Sequence, residues 1–322
     1  AEAYGCALDR GESGIVVRTL QERGHSLVCD ATGADMVLVA TCVVIDSTER
    51  KVLKRLRELS SLGVPMAVTG CAEPVCPAKI RKAAPRAMVF EPGDTAGPVG
   101  YLACVARRSP IRENALFAAG HAAPKKPKLA CATRIPFTRE GDVVYPIPIA
   151  SGCYGSCSFC IAKTARGRLK SRPVKEILAE AGRALTRGAV ELQLCAQDAG
   201  VYGMDVGSSL SELVGAVSAL HGDFMIRVGM ANPGSVKETF PELLDVYSNP
   251  KVYKFLHLPV QSGDDAILAS MGRRHTADDA MIMMESFRKR FPESTMSTDV
   301  IVGYPGEGSE AHEATKRFLG RA

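Results

Sequence analysis

The sequence has no tryptophan, few aromatic residues (6%) and no long apolar run. Without a run near 18 apolar residues, a membrane-spanning helix is not expected. No signal peptide is read at the start, so secretion is not expected either. Charge of one sign is also scarce. Forty basic residues against 35 acidic leave a net +5, too little for the total to demand a nucleic-acid partner. Repeats and low-complexity tracts are missing. Cysteine runs the other way. Eleven cysteines, an odd number, in a 322-residue chain with no export signal point to metal binding or catalysis rather than disulfides. A cytoplasmic location is expected, with no membrane partner.

Residues 1–105 alternate strand-like and helix-like signals. Apolar runs at 37–40 and 66–69 read as buried strands. Residues 47–60 read as a helix. Val52, Leu53, Leu56 and Leu59 form its apolar stripe, Asp46 and Glu49 suit its N-terminal cap, and Gly63 suits its stop. This alternation predicts an α/β domain with a doubly wound parallel sheet. From 106 to 143 the pattern breaks into a proline-bearing linker. Between Arg107 and Arg139 eight basic residues stand against one acid, a local charge of +7. That suits a solvated spacer or contact with RNA phosphates. From 144 to 322 the alternation resumes. Strands are predicted at 144–150, 190–195, 224–228, 254–258 and 298–302, with helices including 174–186, 276–291 and 310–319. Five strands with crossover helices predict a partial (β/α) barrel, incomplete at its C-terminal end.

The segment SGCYGSCSFC at 151–160 follows directly on the first of these strands. Cys153, Cys157 and Cys160 put three thiolates in one tight loop, enough to bind a four-iron cubane cluster at three irons. The fourth iron stays open and can chelate the amino and carboxylate groups of S-adenosylmethionine. An electron passed through that contact can break the sulfonium carbon–sulfur bond. The alternative is zinc, but zinc prefers four ligands in two CxxC pairs, and no fourth ligand lies nearby in sequence.

Cys6, Cys42 and Cys71 share a second context. Each lies at or just after the end of a strand-like run: AYGC, VLVATC and MAVTGC. Carboxyl ends of neighbouring parallel strands open into one crevice, so three such cysteines should converge there. Nearby helix N-termini would favour an anionic cluster. The alternative is buried structural cysteine. Cys29, Cys76, Cys104, Cys131 and Cys195 lack this context and read as packing residues, with Cys76 the main rival ligand.

Two three-cysteine sets in this order resemble the radical S-adenosylmethionine methylthiotransferases. YGC at 4–6, TC at 41–42 and TGC at 69–71 resemble that family's N-terminal domain. CSFCIAKTARGRLKSRP at 157–173, HLPVQSGDDAILASMGRRHT at 257–276 and STDVIVGYPGE at 297–307 resemble its barrel. AQDAGVYGMD at 196–205, RVGMANP at 227–233 and KVYKFLHLPVQS at 251–262 most resemble the archaeal and eukaryotic branch that modifies N6-threonylcarbamoyladenosine in tRNA. Ala40 and Asp9 stand where Asn is usual in the family, and Tyr304 stands where Phe is usual. A last barrel strand and the family's small β-barrel RNA-binding domain are not read here, so the chain is taken as incomplete at that end.

The resemblance implies a tRNA methylthiotransferase that adds a methylthio group to adenosine 37, beside the anticodon. Its cofactors would be two 4Fe–4S clusters, on Cys6, Cys42 and Cys71 and on Cys153, Cys157 and Cys160, together with S-adenosylmethionine. An unidentified electron donor and sulfur source would serve it, and a monomer is expected. Gln197, Asp198, Arg227, Gln261, Ser262 and Asp299 are polar residues at barrel-strand ends and candidates to hold S-adenosylmethionine. Phe159, inside the cysteine loop, is placed to stack near its adenine. His257 reads as a packed strand histidine. Arg166, Arg168, Lys170 and Arg172 are candidate RNA-phosphate contacts. Met281, Met283, Met284, Phe287 and Phe291 read as core. Two other readings are an enzyme that modifies an aspartate of a ribosomal protein, and a non-catalytic iron–sulfur RNA-binding or redox-sensing protein.

Overall fold

The computed structural model describes residues 1–28, 31–108 and 143–322. Contacts divide the chain into two units, Ala1–Phe137 and Thr138–Ala322. Most of the expected basic linker, and Cys29 and Cys131, lie outside the described residues.

The first unit runs β1 (Glu2–Ala3), α1 (Ala7–Glu22), β2 (Val37–Thr41), α2 (Asp46–Ser60), β3 (Met66–Gly70), α3 (Ala72–Val75), α4 (Pro77–Ala83), β4 (Met88–Val89) and α5 (Ala96–Arg108). Its strands form one parallel sheet in the order β1-β2-β3-β4. Successive side chains of a strand point to opposite faces. Val37, Val39, Met66 and Val68 accordingly pack with Val52, Leu56 and Leu59 of α2 and Ile80 of α4. Leu38, Ala40 and Ala67 pack on the other face with Val16, Val17 and Leu20 of α1 and Val99 and Leu102 of α5. Burial on both faces is why these strands read as unbroken apolar runs. Each large side chain buried in this way contributes about 1.5–3 kcal/mol. Helix α1 follows β1 on one face and α2 follows β2 on the other. Helices thus cover both faces of the sheet, as in a doubly wound domain.

The α2 cap differs from expectation. Ile45 is the N-cap, and no side chain bonds there. Asp46 and Glu49 stand in the first turn, where they favour the helix dipole. Their carboxylates are drawn to Arg50 (2.5 Å) and Lys79 (2.5 Å) instead of the backbone. Gly63 ends the segment as expected, at φ +69°.

The second unit runs β5 (Val144–Pro148), β6 (Ala150–Ser151), α6 (Ala162–Arg166), β7 (Lys170–Ser171), α7 (Val174–Thr186), β8 (Glu191–Cys195), α8 (Leu210–Ser218), β9 (Met225–Val228), α9 (Pro233–Val236), α10 (Phe240–Tyr247), β10 (Phe255–His257), α11 (Asp265–Ser270), α12 (Ala277–Arg290), β11 (Thr295–Ser297) and α13 (Ser309–Arg321). Strands β5, β8 and β9 pair in parallel, as do β10 and β11, and a single bridge between Ile226 and Val252 leads from β9 towards β10. This is an open, partial parallel barrel. Leu192, Leu194, Ile226, Val228 and Leu256 are buried with Ile177, Leu213, Leu243, Met281, Met284 and Phe287 from the surrounding helices. Helix α12 carries a capping box between Thr276 and Asp279.

The strand expected at 298–302 lies earlier, at Thr295–Ser297. Past it, only Val300 bridges to Gln261. Gln261 takes φ +81°, outside the strand region, and its N–H and C=O bond Asp299 O (2.8 Å) and Ile301 N (2.9 Å). That turn ends the ladder, and the apolar run at 300–302 finishes with Val302 exposed.

Candidate iron–sulfur and cofactor sites

Strand β5 leads straight into the triad loop. Gly152 has φ +81°, and a Cβ there would lie 2.1 Å from Arg168 O, so only glycine fits this corner. Cys153 N–H donates to Gly167 O (3.3 Å), and Gly152 N–H donates to Gln197 Oε1 (2.9 Å) at the end of β8. On the other side Ser158 N–H donates to Met271 O (3.0 Å), at the end of α11. The Ser158 hydroxyl meets the Tyr304 hydroxyl (2.7 Å), which in turn donates to Ser270 O (3.1 Å). The usual Phe at that position has no hydroxyl with which to do this.

Each of the three thiols accepts a hydrogen bond. Gly155 N–H donates to Cys153 Sγ (3.2 Å), Ala162 N–H to Cys160 Sγ (3.4 Å) and Arg273 Nη1 to Cys157 Sγ (3.6 Å). Such donors favour thiolates bound to iron. Burial pushes the Cys153 thiol up, against the Gly155 N–H, and the nearby Asp198, Cys160 and Cys157 add to the rise. Iron bound there would have to displace that proton. Among the described residues no three His, Cys, Asp or Glu side chains group closely enough for one metal ion. A cubane instead spreads its three thiolates over three irons, so the donor set fits a cluster.

Strands β8, β9 and β10 alternate in burial. Their half-buried face carries Glu191 and Gln193 of β8, Arg227 of β9, and Phe255 and His257 of β10. The Arg227 guanidinium lies 4.8 Å from the centre of the Phe255 ring. His257 Nε2 meets Asp299 Oδ2 at 2.9 Å. His257 is thus half of a polar pair at the strand ends, not a packed strand histidine.

The expected cofactor contacts divide in two. Arg227 and Gln261 are half-buried, while Phe159 and Asp299 are exposed. Asp198 and Ser262 are not available in the same way. Asp198 is 2% exposed, and its carboxylate accepts from Gly200 N–H (3.0 Å), Asn232 N–H (3.1 Å) and the Ser235 hydroxyl (2.6 Å). It clamps the turn after β8 to the turn after β9. Burial raises its carboxyl above the usual carboxylate range, while these three donors oppose the rise. Ser262 is fully buried against Thr315 of α13 (3.2 Å). Both hold loops in place through these bonds. A cavity of about 90 Å³ adjoins the triad, with Tyr154, Cys157, Asn232, Ser235 and Arg274 in its wall.

The basic segment also divides. Arg166 is buried and donates to the Ser151 hydroxyl (3.3 Å). Arg172 pairs with buried Glu180 (2.9 Å) and donates to Pro148 O (2.6 Å). Both side chains thus bond within the fold. Arg168 and Lys170 remain exposed.

In the first unit Cys6 follows β1, Cys42 directly follows β2 and Cys71 directly follows β3. Three adjacent parallel strands about 4.8 Å apart thus end on the same side in cysteine. Cys71 N–H donates to Thr41 O (3.0 Å), and Gly70, at φ +94°, would place a Cβ 2.4 Å from that same oxygen. Cys6 is exposed, Cys42 half-buried and Cys71 buried. The rival Cys76 turns its Sγ to Ala72 O (3.3 Å), within its own helical turn. Cys195 is buried as expected, but Cys104 is exposed on α5 and is no packing residue.

A thiol triad at the mouth of an open parallel barrel defines a radical S-adenosylmethionine enzyme, and the model of the Radical SAM superfamily matches residues 147–319. Residues 1–91 match the uncharacterized protein family UPF0004. A probable threonylcarbamoyladenosine tRNA methylthiotransferase of Pyrococcus horikoshii is 37% identical over 322 residues, covering 99% of this chain and 73% of that protein. Its counterpart in Methanocaldococcus jannaschii is 33% identical, over 99% and 71%. The ribosomal protein uS12 methylthiotransferase RimO of a Thermotoga species is 29% identical, over 99% and 72%. This chain belongs to the threonylcarbamoyladenosine tRNA methylthiotransferase family, and so is an enzyme of the radical S-adenosylmethionine methylthiotransferase class. Among solved structures, the radical S-adenosylmethionine methyltransferase TsrM of Kitasatospora setae shares the fold at a TM-score of 0.67. It is 13% identical over 98% of this chain and 67% of that one.

Proposed function

We propose that this enzyme converts N6-threonylcarbamoyladenosine at position 37 of tRNA to its 2-methylthio derivative. One 4Fe–4S cluster would sit on Cys153, Cys157 and Cys160, and a second on Cys6, Cys42 and Cys71. The observation that carries this reading is the pairing of a strand-end triad in the barrel with a second cysteine set on three adjacent strand ends. The naming of relatives supports the tRNA substrate, since those named for threonylcarbamoyladenosine reach 37% identity and the uS12 enzyme 29%.

The clusters and S-adenosylmethionine supply, when bound, the one-electron chemistry that an unactivated aromatic C–H bond requires and acid–base groups lack. The chain's own residues position and shield. Gln197 holds the corner before Cys153, and Asp198 fixes the two strand-end turns beside it. Arg227, Gln261, Asp299 and Phe159 are the side chains open to S-adenosylmethionine. Arg168 and Lys170 offer charge to the RNA backbone. Among the described residues no helix is long and apolar enough to cross a membrane. We place the enzyme in the cytoplasm as a monomer, served by a separate electron donor and sulfur source.

The test is mass spectrometry of tRNA nucleosides after incubation of the reconstituted enzyme with S-adenosylmethionine and reductant. A methylthio mass gain on threonylcarbamoyladenosine is expected. Its absence, or a gain on a ribosomal protein instead, would sink the substrate assignment.

A further inference from the structure

Two of the triad thiols take their hydrogen bonds from neutral amides of their own loop. Cys157 differs. Its donor is the Arg273 guanidinium, 116 residues along the chain. Three features fix that side chain. Helix α11 stops in a Schellman motif, with Gly272 N–H bonded to Ala269 O (2.9 Å), Arg273 N–H bonded to Leu268 O (2.9 Å) and Gly272 at φ +73°. The second terminal nitrogen, Nη2, donates to Pro259 O. The triad loop itself docks on the same helix end through Ser158 and Met271. Arg273 therefore reaches Cys157 from a helix end that is bonded to the loop it serves.

We infer that Arg273 is a positioning residue that sets the reduction potential of the cluster held by Cys153, Cys157 and Cys160. This rests on the reading that the triad holds a cluster. Reduction adds one negative charge to the cluster. A fixed cation bonded to a ligating sulfur stabilises that form and raises the potential. Lysine would keep the charge without the planar fork that bonds Pro259 and Cys157 together.

The test uses the full chain, anaerobically reconstituted, with midpoint potentials read by electron paramagnetic resonance and iron counted separately. Arg273→Met should keep its iron and shift the triad potential to more negative values, and Arg273→Lys should recover part of that shift. A wild-type potential in an Arg273→Met variant with full iron would overturn the inference. Should that variant assemble poorly, Arg273→Gln carries the comparison, with the same direction expected and an unchanged potential again overturning it. Loss of the cluster from both, with unchanged melting, would also overturn it, because the residue would then be needed to hold iron at all. The triple variant Cys153→Ala, Cys157→Ala, Cys160→Ala separates the two readings. If it loses neither iron nor any part of the wild-type resonance, the triad assignment itself has failed, whatever Arg273 does.

Discussion

Asp198 offers the sharpest separation between a loop clamp and a cofactor contact. Asp198→Ala removes the acceptor of three hydrogen bonds, from Gly200 N–H, Asn232 N–H and the Ser235 hydroxyl. The hydroxyl can turn elsewhere, whereas the two backbone donors cannot. Hydrogen bonds to a charged group contribute about 1.5–3 kcal/mol each, so losing two costs about 3–6 kcal/mol. Relief of a buried charge offsets a little of this. Asp198→Asn keeps an acceptor oxygen for both backbone donors and should cost about 1 kcal/mol. For a unit of this size 1 kcal/mol moves the melting temperature by roughly 2–4 °C. Calorimetry of the full chain should therefore show the second unit's transition falling by roughly 10 °C in the Ala variant and by about 3 °C in the Asn variant. S-adenosylmethionine binding should survive in the Asn variant. An Ala variant melting within about 2 °C of wild type, with binding lost in both, would refute the clamp and restore Asp198 as a direct contact.

Two more outcomes follow from the same geometry. His275 is 6% exposed, and burial, then the nearby Arg273 charge, push its pKa down to about 4 from the ordinary 6.5. The unfolded chain takes up this proton below 6.5 and the native chain does not. The contribution is therefore intact above pH 6.5 and is lost as pH falls from 6.5 towards 4, by about 3 kcal/mol in all. Urea melts at pH 7 and pH 4.5 should show a smaller acid loss in His275→Leu than in wild type, and equal losses would contradict this. On the basic segment, Arg168→Ala with Lys170→Ala should weaken tRNA binding and flatten its dependence on salt by up to about two phosphate contacts. Arg172→Ala should instead destabilise the fold, because it takes the Arg172 cation away from the buried Glu180 carboxylate. Filter binding across a salt series, beside a thermal melt, reads both.

What the sequence made legible was local. The α2 stripe of Val52, Leu53, Leu56 and Leu59 is set by helical period alone, and all four are buried. The barrel set was legible because its three cysteines share one short segment, and the other set because each of its cysteines lies within three residues of a strand end. What stayed hidden depends on distant pairing. Arg166, Arg168, Lys170 and Arg172 look equivalent in sequence, yet the pairing of β7 with β6 leaves Lys170 outside while Arg166 and Arg172 find partners within the fold. Cys157 and Arg273 are 116 residues apart, and His257 and Asp299 are 42 apart, so no spacing rule connects them. The sequence offered one hint of the first pair: glycine at 272, a helix stop, directly before Arg273. The misplaced last strand has a similar cause. Apolar residues at 300–302 look like a strand, and only the turn at Gln261 explains why the ladder has already ended.

Two separate cysteine sets are each proposed to hold a four-iron cluster, and iron counting on the anaerobically reconstituted chain tests this most directly. Wild type should hold about eight irons per chain. The triple Ala variant at Cys153, Cys157 and Cys160 should hold about four and form no deoxyadenosine, and the triple variant at Cys6, Cys42 and Cys71 should also hold about four while still cleaving S-adenosylmethionine. About four irons in wild type, left unchanged by the Cys6, Cys42 and Cys71 variant, would contradict the second site and with it the two-cluster account.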